Sequence, residues 1–120
     1  MLTNLYIGTD IVEVHRIKDS IAKFKLKFLN RIFTIQEQKY CASKSNPEIH
    51  YSGRFAAKEA IIKSIKSSGF NNPIPLSSIE IISSDFGEPK VNLKFNINGN
   101  CKVSISHIDT HAVAFAIFSN

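Results

Sequence analysis

The spacing of hydrophobic residues in the first forty positions predicts one strand followed by two helices. Residues 5–12 are mostly β-branched or apolar, as in a buried strand. From Glu13 onward, hydrophobic residues recur at intervals of three and four, which is the period of one helix face. Those residues are Ile17, Ile21, Phe24 and Phe28. The run from Thr34 to Glu37 resembles a capping box and predicts a short second helix that ends near Cys41.

The middle of the chain carries a clearer helix start. Asn46 can cap a helix, Pro47 suits its first position, and Glu48 places an acid in its first turn. We predict a helix from there to about Ser67, with Gly69 as its terminator. This third helix completes the helical half of the chain.

Beyond Pro75 the hydrophobic residues recur at every second position, which is the period of a β-strand. The predicted strands cover residues 79–83, 91–97, 101–105 and 112–118. Gly87 to Pro89 predicts a turn, and Asn98-Gly99 predicts a tight hairpin between the strands 91–97 and 101–105. The last strand is apolar throughout and is expected at the centre of the sheet. This order predicts an α+β fold with helices packed on one side of a mostly antiparallel sheet.

Size and composition suit one domain. The 120 residues are 43% hydrophobic, so a single core is expected over residues 1–120. Cys41 and Cys101 lie far apart and outside any CxxC pattern, which indicates a reducing compartment. The N-terminus lacks a basic region before a long apolar stretch, and no apolar run approaches the ~20 residues that span a bilayer. We therefore expect a cytoplasmic protein without a membrane partner.

The net charge favours anionic partners without choosing among them. Lys and Arg outnumber Asp and Glu by 15 to 10, giving a net charge of +5. Such an excess attracts nucleic acid, a phosphorylated small molecule or an acidic protein. A nucleic-acid-binding module would interleave basic residues with exposed aromatics, whereas the phenylalanines here mostly occupy core positions. Nucleic-acid binding is therefore the weaker alternative, and we expect no nucleic-acid partner.

Asp10 is an acidic residue within the first, otherwise apolar strand. A buried carboxylate is costly without a partner, which makes this position a candidate functional residue. The alternative is that the strand ends at Gly8 and that Asp10 caps the following helix. In a continuous strand, Gly8 would lie on the same face as Asp10 and would leave room for something to approach the backbone.

The helix after Pro47 carries charged residues where hydrophobic ones are expected. Arg54 and Lys58 fall within its apolar arc, one turn apart. Two buried cations need an anionic ligand or a carboxylate partner, although long side chains can also extend to solvent. Glu59 lies at the edge of the same arc with Lys63 one turn later, a spacing that is also typical of a surface ion pair.

His107 follows Ser106 at the end of a predicted strand, where the chain leaves the sheet. A strand-end histidine beside hydroxyls can bind phosphate or transfer protons, although such a histidine is more often an ordinary loop residue. The other three histidines show no metal-ligand spacing. The chain contains no HExxH, GxGxxG, P-loop or GxSxG pattern, so it lacks the usual nucleotide, zinc-protease and hydrolase motifs.

Four sequence blocks together resemble the motifs of the phosphopantetheinyl transferase family. They are Gly8-x-Asp10 with Arg16, residues 54–63 (RFAAKEAIIK), Gly87-x-Pro89, and Ser104-x-Ser106-His107. The blocks occur in the family's order and extend over almost the whole chain. The length resembles that of the small subfamily, the holo-[acyl-carrier-protein] synthases. The resemblance implies a fold like that of a 4′-phosphopantetheinyl transferase and a homotrimer with active sites between subunits.

The resemblance also implies an activity: transfer of 4′-phosphopantetheine from coenzyme A to a serine of apo acyl carrier protein, in support of fatty acid biosynthesis. It implies Mg²⁺ bound by Asp10 and Glu59, and charge neutralisation by Lys63. The base that takes the serine proton is left open among the two carboxylates and a metal-bound water. Candidate ligands for the other phosphates of coenzyme A are Arg54, Lys58, Ser106 and His107.

The first helix is the predicted docking surface for the acidic carrier protein, and Arg16 is its motif residue. The other basic residues there are Lys18, Lys23, Lys25 and Lys27, which could also form a plain solvated face. Two departures from the family pattern are His111, where an aromatic is common, and the polar residues 96–102, where relatives are often helical. A degenerate transferase kept for assembly is a further alternative, which the intact site carboxylates and lysine disfavour.

Overall fold

Helices fill the first half of the chain and strands the second, apart from one N-terminal strand. The computed structural model describes residues 4–120. Its elements are β1 (Leu5–Glu13), α1 (Val14–Phe24), α2 (Leu26–Ile32), α3 (Ile35–Ala42), α4 (Pro47–Ser67), β2 (Ile79–Ser83), β3 (Pro89–Leu93), β4 (Asn100–His107) and β5 (His111–Ser119). The predicted α+β class is confirmed. No helix within residues 4–120 is long and apolar enough to cross a membrane.

The main sheet has three antiparallel strands in the order β1-β5-β4, with the apolar β5 at its centre as predicted. Strands β2 and β3 form a separate antiparallel pair. Helix α4 lies against one face of the main sheet, and the two surfaces meet largely through small residues. These are Ala56, Ala57 and Ala60 on the helix and Ala112, Ala114 and Ala116 on β5, all buried. Small side chains let the helix lie close to the strands.

A second hydrophobic cluster joins α1, α2 and α3 to the first half of α4. Its buried members are Ile17, Ile32, Phe33, Cys41 and Tyr51. The rings of Phe33 and Tyr51 are 4.9 Å apart between centroids, so the start of α4 is fixed against the end of α2. Helix α4 thus packs against two surfaces, the main sheet through one hydrophobic cluster and the other helices through the second.

The predicted hairpin between strands 91–97 and 101–105 is wrong. β3 ends at Leu93 and pairs with β2, whereas β4 begins at Asn100 and pairs with β5. The intervening residues are neither strand nor helix. Gly99 adopts a φ of +142°, and a Cβ atom there would lie 2.6 Å from the Phe118 ring and from a backbone oxygen. The glycine therefore lets the chain pass close to the end of β5 as it runs from one sheet to the other, instead of reversing within one sheet.

The first predicted helix is divided in two. α1 ends at Phe24, and α2 begins at Leu26 after Lys25, whose φ of 52° lies in the left-handed region. The break changes the direction of the chain, so that Ile32 and Phe33 enter the second hydrophobic cluster. The three- and four-residue spacing continues across the break, which is why the sequence predicted one helix.

Candidate active site

Strand β1 and helix α4 come into direct backbone contact at Gly8. A Cβ atom at this position would overlap the carbonyl oxygen of Ala60 and would lie 2.7 Å from the backbone nitrogen of Ser64. Only glycine can occupy such a position without a shift of the strand or the helix. Gly8 was predicted to leave room for something to approach its backbone, and the approaching group is the backbone of α4.

Asp10 lies two residues further along the same face of β1 and meets α4 through Lys63. The Nζ atom of Lys63 is 3.2 Å from Asp10 Oδ1 and donates a 2.9 Å hydrogen bond to the carbonyl oxygen of Thr9. The Asp10 side chain is 17% exposed and that of Lys63 is 55% exposed. Because β1 continues to Glu13, Asp10 is not a helix cap. It is a partly buried carboxylate beside one flexible cation.

Glu59 lies one turn before Lys63 on α4 and is half-buried. Burial raises the pKa of Glu59, and the negative charge of Asp10 raises it further, while Lys63 opposes the shift. The carboxylate of Asp10 is therefore close enough to repel that of Glu59. Two acids that are far apart in the sequence thus influence each other electrostatically in the fold.

A pair of carboxylates fits Mg²⁺ chemically. Mg²⁺ prefers oxygen ligands, binds through one or two carboxylates plus substrate phosphate, and retains several waters. Among residues 4–120, no three His, Cys, Asp or Glu side chains form a cluster that could enclose a metal. Lys63 offsets only part of the repulsion between Asp10 and Glu59, so a divalent cation would relieve the remainder. The donor set therefore suits an ion that is shared with a substrate.

Arg54 is the centre of a second group of polar side chains. It is 6% exposed, its Nη2 atom donates a 3.2 Å hydrogen bond to Ser83 Oγ, and its guanidinium lies 4.0 Å from the centre of the Tyr40 ring. Its Nε atom has no hydrogen-bond partner among the described residues. An open donor on a buried guanidinium requires an acceptor, and phosphate oxygens can provide it.

Two histidines extend this second group from α4 to β4. The His50 ring lies 5.9 Å from the Tyr40 ring and 6.0 Å from the His107 ring, edge-on to both. His107 is exposed at the end of β4, where it lines an open cavity of about 250 Å³ together with Ser106. Arg54 and His107, which were predicted from separate motifs, thus belong to one chain of side-chain contacts.

Lys58 lies in the core and not in either group. Its Nζ atom donates to Glu37 Oε1 and to the carbonyl oxygen of Ile32, both at 2.6 Å, and to that of Leu76 at 3.2 Å. The side chain has no exposed surface. Because its three protons are already used, the prediction that Lys58 binds a phosphate of coenzyme A is wrong. Of the alternatives left open, pairing with a carboxylate is the correct one.

Glu37 is the partner that sequence reasoning missed. Its carboxylate also accepts hydrogen bonds from the backbone nitrogens of Thr34, at 2.8 Å, and Ile81, at 2.7 Å. The capping box of Thr34 and Glu37 was predicted and is present. That motif placed Glu37 at the start of α3, but the meeting with Lys58 depends on how α3 packs against α4.

The basic residues of the predicted docking surface are all exposed. Arg16 lies in the first turn of α1, and the four lysines follow along α1, the break and the start of α2. Two hydrophobic side chains, Phe24 and Leu26, are 51% and 64% exposed beside them. This surface combines positive charge with apolar area.

The two groups of polar side chains share no residue within one chain. The first comprises Thr9, Asp10, Glu59 and Lys63; the second comprises Tyr40, Arg54, Ser83, His50 and His107. The outer face of β1 and β5, opposite α4, exposes hydrophobic side chains. These are Ile7, Ile11, Val113 and Phe115, between 39% and 66% exposed.

Comparison with known proteins gives a consistent result. The model of the 4′-phosphopantetheinyl transferase superfamily matches residues 6–116. The holo-[acyl-carrier-protein] synthase of Protochlamydia amoebophila is 40% identical over 97% of this chain and 98% of that protein. That of Clostridium botulinum is 44% identical over 92% and 94%. The crystal structure of Helicobacter pylori holo-[acyl-carrier-protein] synthase in complex with coenzyme A is similar at a TM-score of 0.81, with 33% identity over 94% of this chain and 99% of that one.

Proposed function

The chain belongs to the 4′-phosphopantetheinyl transferase superfamily, and from this membership we propose that it transfers the 4′-phosphopantetheine group of coenzyme A to a serine of apo acyl carrier protein. The reaction releases adenosine 3′,5′-bisphosphate and supports fatty acid biosynthesis. The single observation that carries the proposal is the meeting of Asp10, Glu59 and Lys63 at the contact of β1 with α4.

The chemistry is a phosphoryl transfer in which a serine hydroxyl displaces adenosine 3′,5′-bisphosphate from the diphosphate of coenzyme A. The serine oxygen attacks the β-phosphorus of coenzyme A, and the bond from that phosphorus to the bridging oxygen breaks. The diphosphate is negative at the start, and charge builds on the bridging oxygen, so catalysis needs positive charge and positioning. Mg²⁺, when bound, supplies positive charge next to the diphosphate oxygens. Asp10 and Glu59 would hold it.

Glu59 is the candidate base for the serine proton. Its half-buried carboxylate, near Asp10 and Lys63, supports this role, because a base must first lie within reach of the proton that it takes. Lys63 would donate to the phosphate oxygens on which charge develops. Its partial exposure supports this role, since the ammonium can move from Asp10 toward a substrate.

Arg54 and His107 of the second group would bind the other phosphates of coenzyme A. Arg54 offers an unpartnered Nε proton, and His107 is exposed at the rim of the cavity that it shares with Ser106. Charge-assisted hydrogen bonds from such donors are stronger than neutral ones. This group would hold the nucleotide while the first group acts on the diphosphate.

We further propose a homotrimer in which each active site lies between two subunits. The division of the polar side chains between two groups that share no residue supports this arrangement, because one coenzyme A could then contact Asp10 of one subunit and His107 of its neighbour. The exposed hydrophobic face of β1 and β5 also supports it, since such a face is usually covered.

The carrier protein would dock on α1 and the start of α2. Acyl carrier proteins are acidic, and the exposed Arg16 with the four lysines provides the complementary charge. Phe24 and Leu26 would add apolar contact. We place the enzyme in the cytoplasm, in agreement with its two free cysteines, and treat residues 1–120 as one domain.

Mass spectrometry of the carrier protein tests this proposal. The protein is mixed with coenzyme A, Mg²⁺ and an apo carrier protein, and the carrier is weighed before and after. We expect the mass of one phosphopantetheine arm to be gained, and no gain with Asp10→Asn. An unmodified carrier under all conditions would reject the transferase assignment in favour of a non-catalytic role such as nucleic-acid binding.

A further inference from the structure

His50 is a half-buried histidine that neither the sequence motifs nor the proposed mechanism uses. It lies on α4 one turn before Arg54, and its ring contacts those of Tyr40 and His107. It therefore lies between the buried guanidinium of the second group and the exposed histidine at the end of β4.

The groups around His50 are positively charged or neutral. Lys44 faces it from the loop after α3, Arg54 from its own helix and His107 from β4, and each of these disfavours a second positive charge on the ring. Tyr40 faces it from α3 as a neutral phenol. Burial, followed by these three charges, lowers the pKa of His50. The imidazole is therefore neutral at pH 7 to 8 when no ligand is present.

A bound dianion would reverse this balance. A phosphate monoester carries a charge of about −2 above pH 6 and offers three acceptor oxygens. A phosphate bound between Arg54 and His107 would bring negative charge close to His50. That charge would offset the positive charge of the surrounding side chains. The ring would then gain a proton and become a further donor to the phosphate.

We propose that His50 is a binding residue for a phosphate monoester of the nucleotide and that binding transfers one proton from solvent to its imidazole. This inference rests on the proposed function, since coenzyme A and adenosine 3′,5′-bisphosphate supply such a group. The step forms one N–H bond on the ring and consumes one buffer proton. The free energy of binding therefore becomes more favourable as the pH falls from 8 toward 6.5, and the trend ends near pH 6, where the phosphate itself gains a proton.

Isothermal titration calorimetry with adenosine 3′,5′-bisphosphate tests the inference. Titrations at pH 7.5 in two buffers of different ionisation enthalpy give the number of protons taken up on binding. We expect the unmodified protein to take up a fraction between about 0.3 and 1 proton per ligand. For His50→Gln we expect a clearly smaller uptake, carried by His107 alone, with affinity about three- to tenfold weaker because a charged donor is lost.

His15→Gln is the matched control, because His15 lies exposed on α1 beside Asp19. It should bind with the affinity and proton uptake of the unmodified protein. Equal affinity and equal proton uptake for His50→Gln and the unmodified protein would overturn the inference. If His50→Gln fails to fold, NMR spectra of the unmodified protein measure the protonation state of the His50 ring directly. The ring signals are assigned by comparison with His15→Gln, His107→Gln and His111→Gln. A His50 ring that stays neutral at saturation with the nucleotide also overturns it.

The transfer assay separates this inference from the proposed function. Loss of arm transfer with intact nucleotide binding and proton uptake would reject the transferase activity but keep His50 as a phosphate ligand. Normal arm transfer with identical titrations for His50→Gln and the unmodified protein would reject only the role of His50.

Discussion

Lys58 Nζ lies 2.6 Å from Glu37 Oε1, and both side chains are fully removed from solvent. Burial favours the neutral form of Lys58 and lowers its pKa, while the charge and hydrogen bond of Glu37 oppose that shift. With the carbonyl oxygens of Ile32 and Leu76 and the amides of Thr34 and Ile81, this pair joins α3, α4 and β2. This buried pair has a structural role, although its lysine directly precedes Glu59 of the proposed active site in the sequence.

Removing one member of this pair should strongly destabilise the fold. Lys58→Ala leaves Glu37 buried without its cation, for which the cost is about 3–5 kcal/mol. Urea unfolding measures this loss. Lys66→Ala removes an exposed lysine from the same helix and should change stability by less than about 0.5 kcal/mol. The double variant with Glu37→Leu and Lys58→Met should lose much less than the sum of the losses of Glu37→Leu alone and Lys58→Met alone, and simple additivity would contradict a coupled buried pair.

Glu59→Gln should abolish arm transfer and yet raise the stability of the metal-free protein. Folding raises the pKa of Glu59, so the protonated carboxyl is favoured in the fold. The protonated carboxyl of Glu59 therefore contributes to the free energy of unfolding. This contribution is complete below the pKa of about 4.3 in the unfolded chain, and it is lost as the pH rises through the pKa in the folded protein. Melting temperatures at pH 8 with a chelator should therefore be higher for Glu59→Gln than for the unmodified protein, and the difference should close toward pH 4.

Mg²⁺ provides the complementary measurement on the same variant. Addition of Mg²⁺ at pH 8 should raise the melting temperature of the unmodified protein and leave that of Glu59→Gln nearly unchanged. Asp109→Asn, which alters an exposed loop carboxylate, should respond to Mg²⁺ like the unmodified protein. Equal responses of all three proteins would place the metal elsewhere.

Gly8→Ala should separate β1 from α4 and move Asp10 away from Glu59. The added methyl overlaps a helix carbonyl, so we expect a loss of about 3 kcal/mol in the free energy of unfolding together with reduced transfer. Gly53→Ala is the comparison. Its methyl would lie 3.0 Å from a side-chain carbon of Ile105, and alanine favours the helix by about 1 kcal/mol. Similar losses for the two variants would argue against a special contact at Gly8.

Arg16→Glu should weaken recognition of the carrier protein and not of coenzyme A. Charge reversal at an exposed position opposes an acidic partner and leaves the substrate site intact. Steady-state kinetics should show KM for the carrier raised about tenfold or more and KM for coenzyme A within about twofold. Lys66→Glu controls for the change in net charge. Equal increases in both KM values would remove α1 from the docking surface.

The residues of the proposed carboxylate site could be singled out in the sequence because their signals are local, but their joint role was implied only by the family resemblance. Asp10 stands out in an apolar strand, and Glu59 with Lys63 occupies one edge of a helix whose start is marked by Pro47. Gly8 indicated that something approaches the strand backbone closely. The hydrophobic pattern could not show that the backbone that contacts Gly8 belongs to α4, the helix that also carries Glu59 and Lys63.

The second group could not be predicted in full because it depends on packing. Tyr40, His50 and Ser83 come from α3, α4 and β2, and no spacing rule connects them. Lys58 and Arg54 looked equivalent on the helix arc, yet one meets Glu37 and the other meets a tyrosine ring and a hydroxyl. The hairpin error has the same origin, since a turn sequence does not reveal which strand the chain pairs with next.

The division of polar residues between two separate groups has a consequence for mixtures of inactive chains. If neighbouring subunits each supply one group, a chain disabled by Asp10→Asn still presents an intact His107, and a chain disabled by His107→Ala still presents an intact Asp10. Refolding the two variants together would form some mixed interfaces in which the intact Asp10 of one chain meets the intact His107 of the other. The mixture should therefore regain part of the activity that each variant lacks alone.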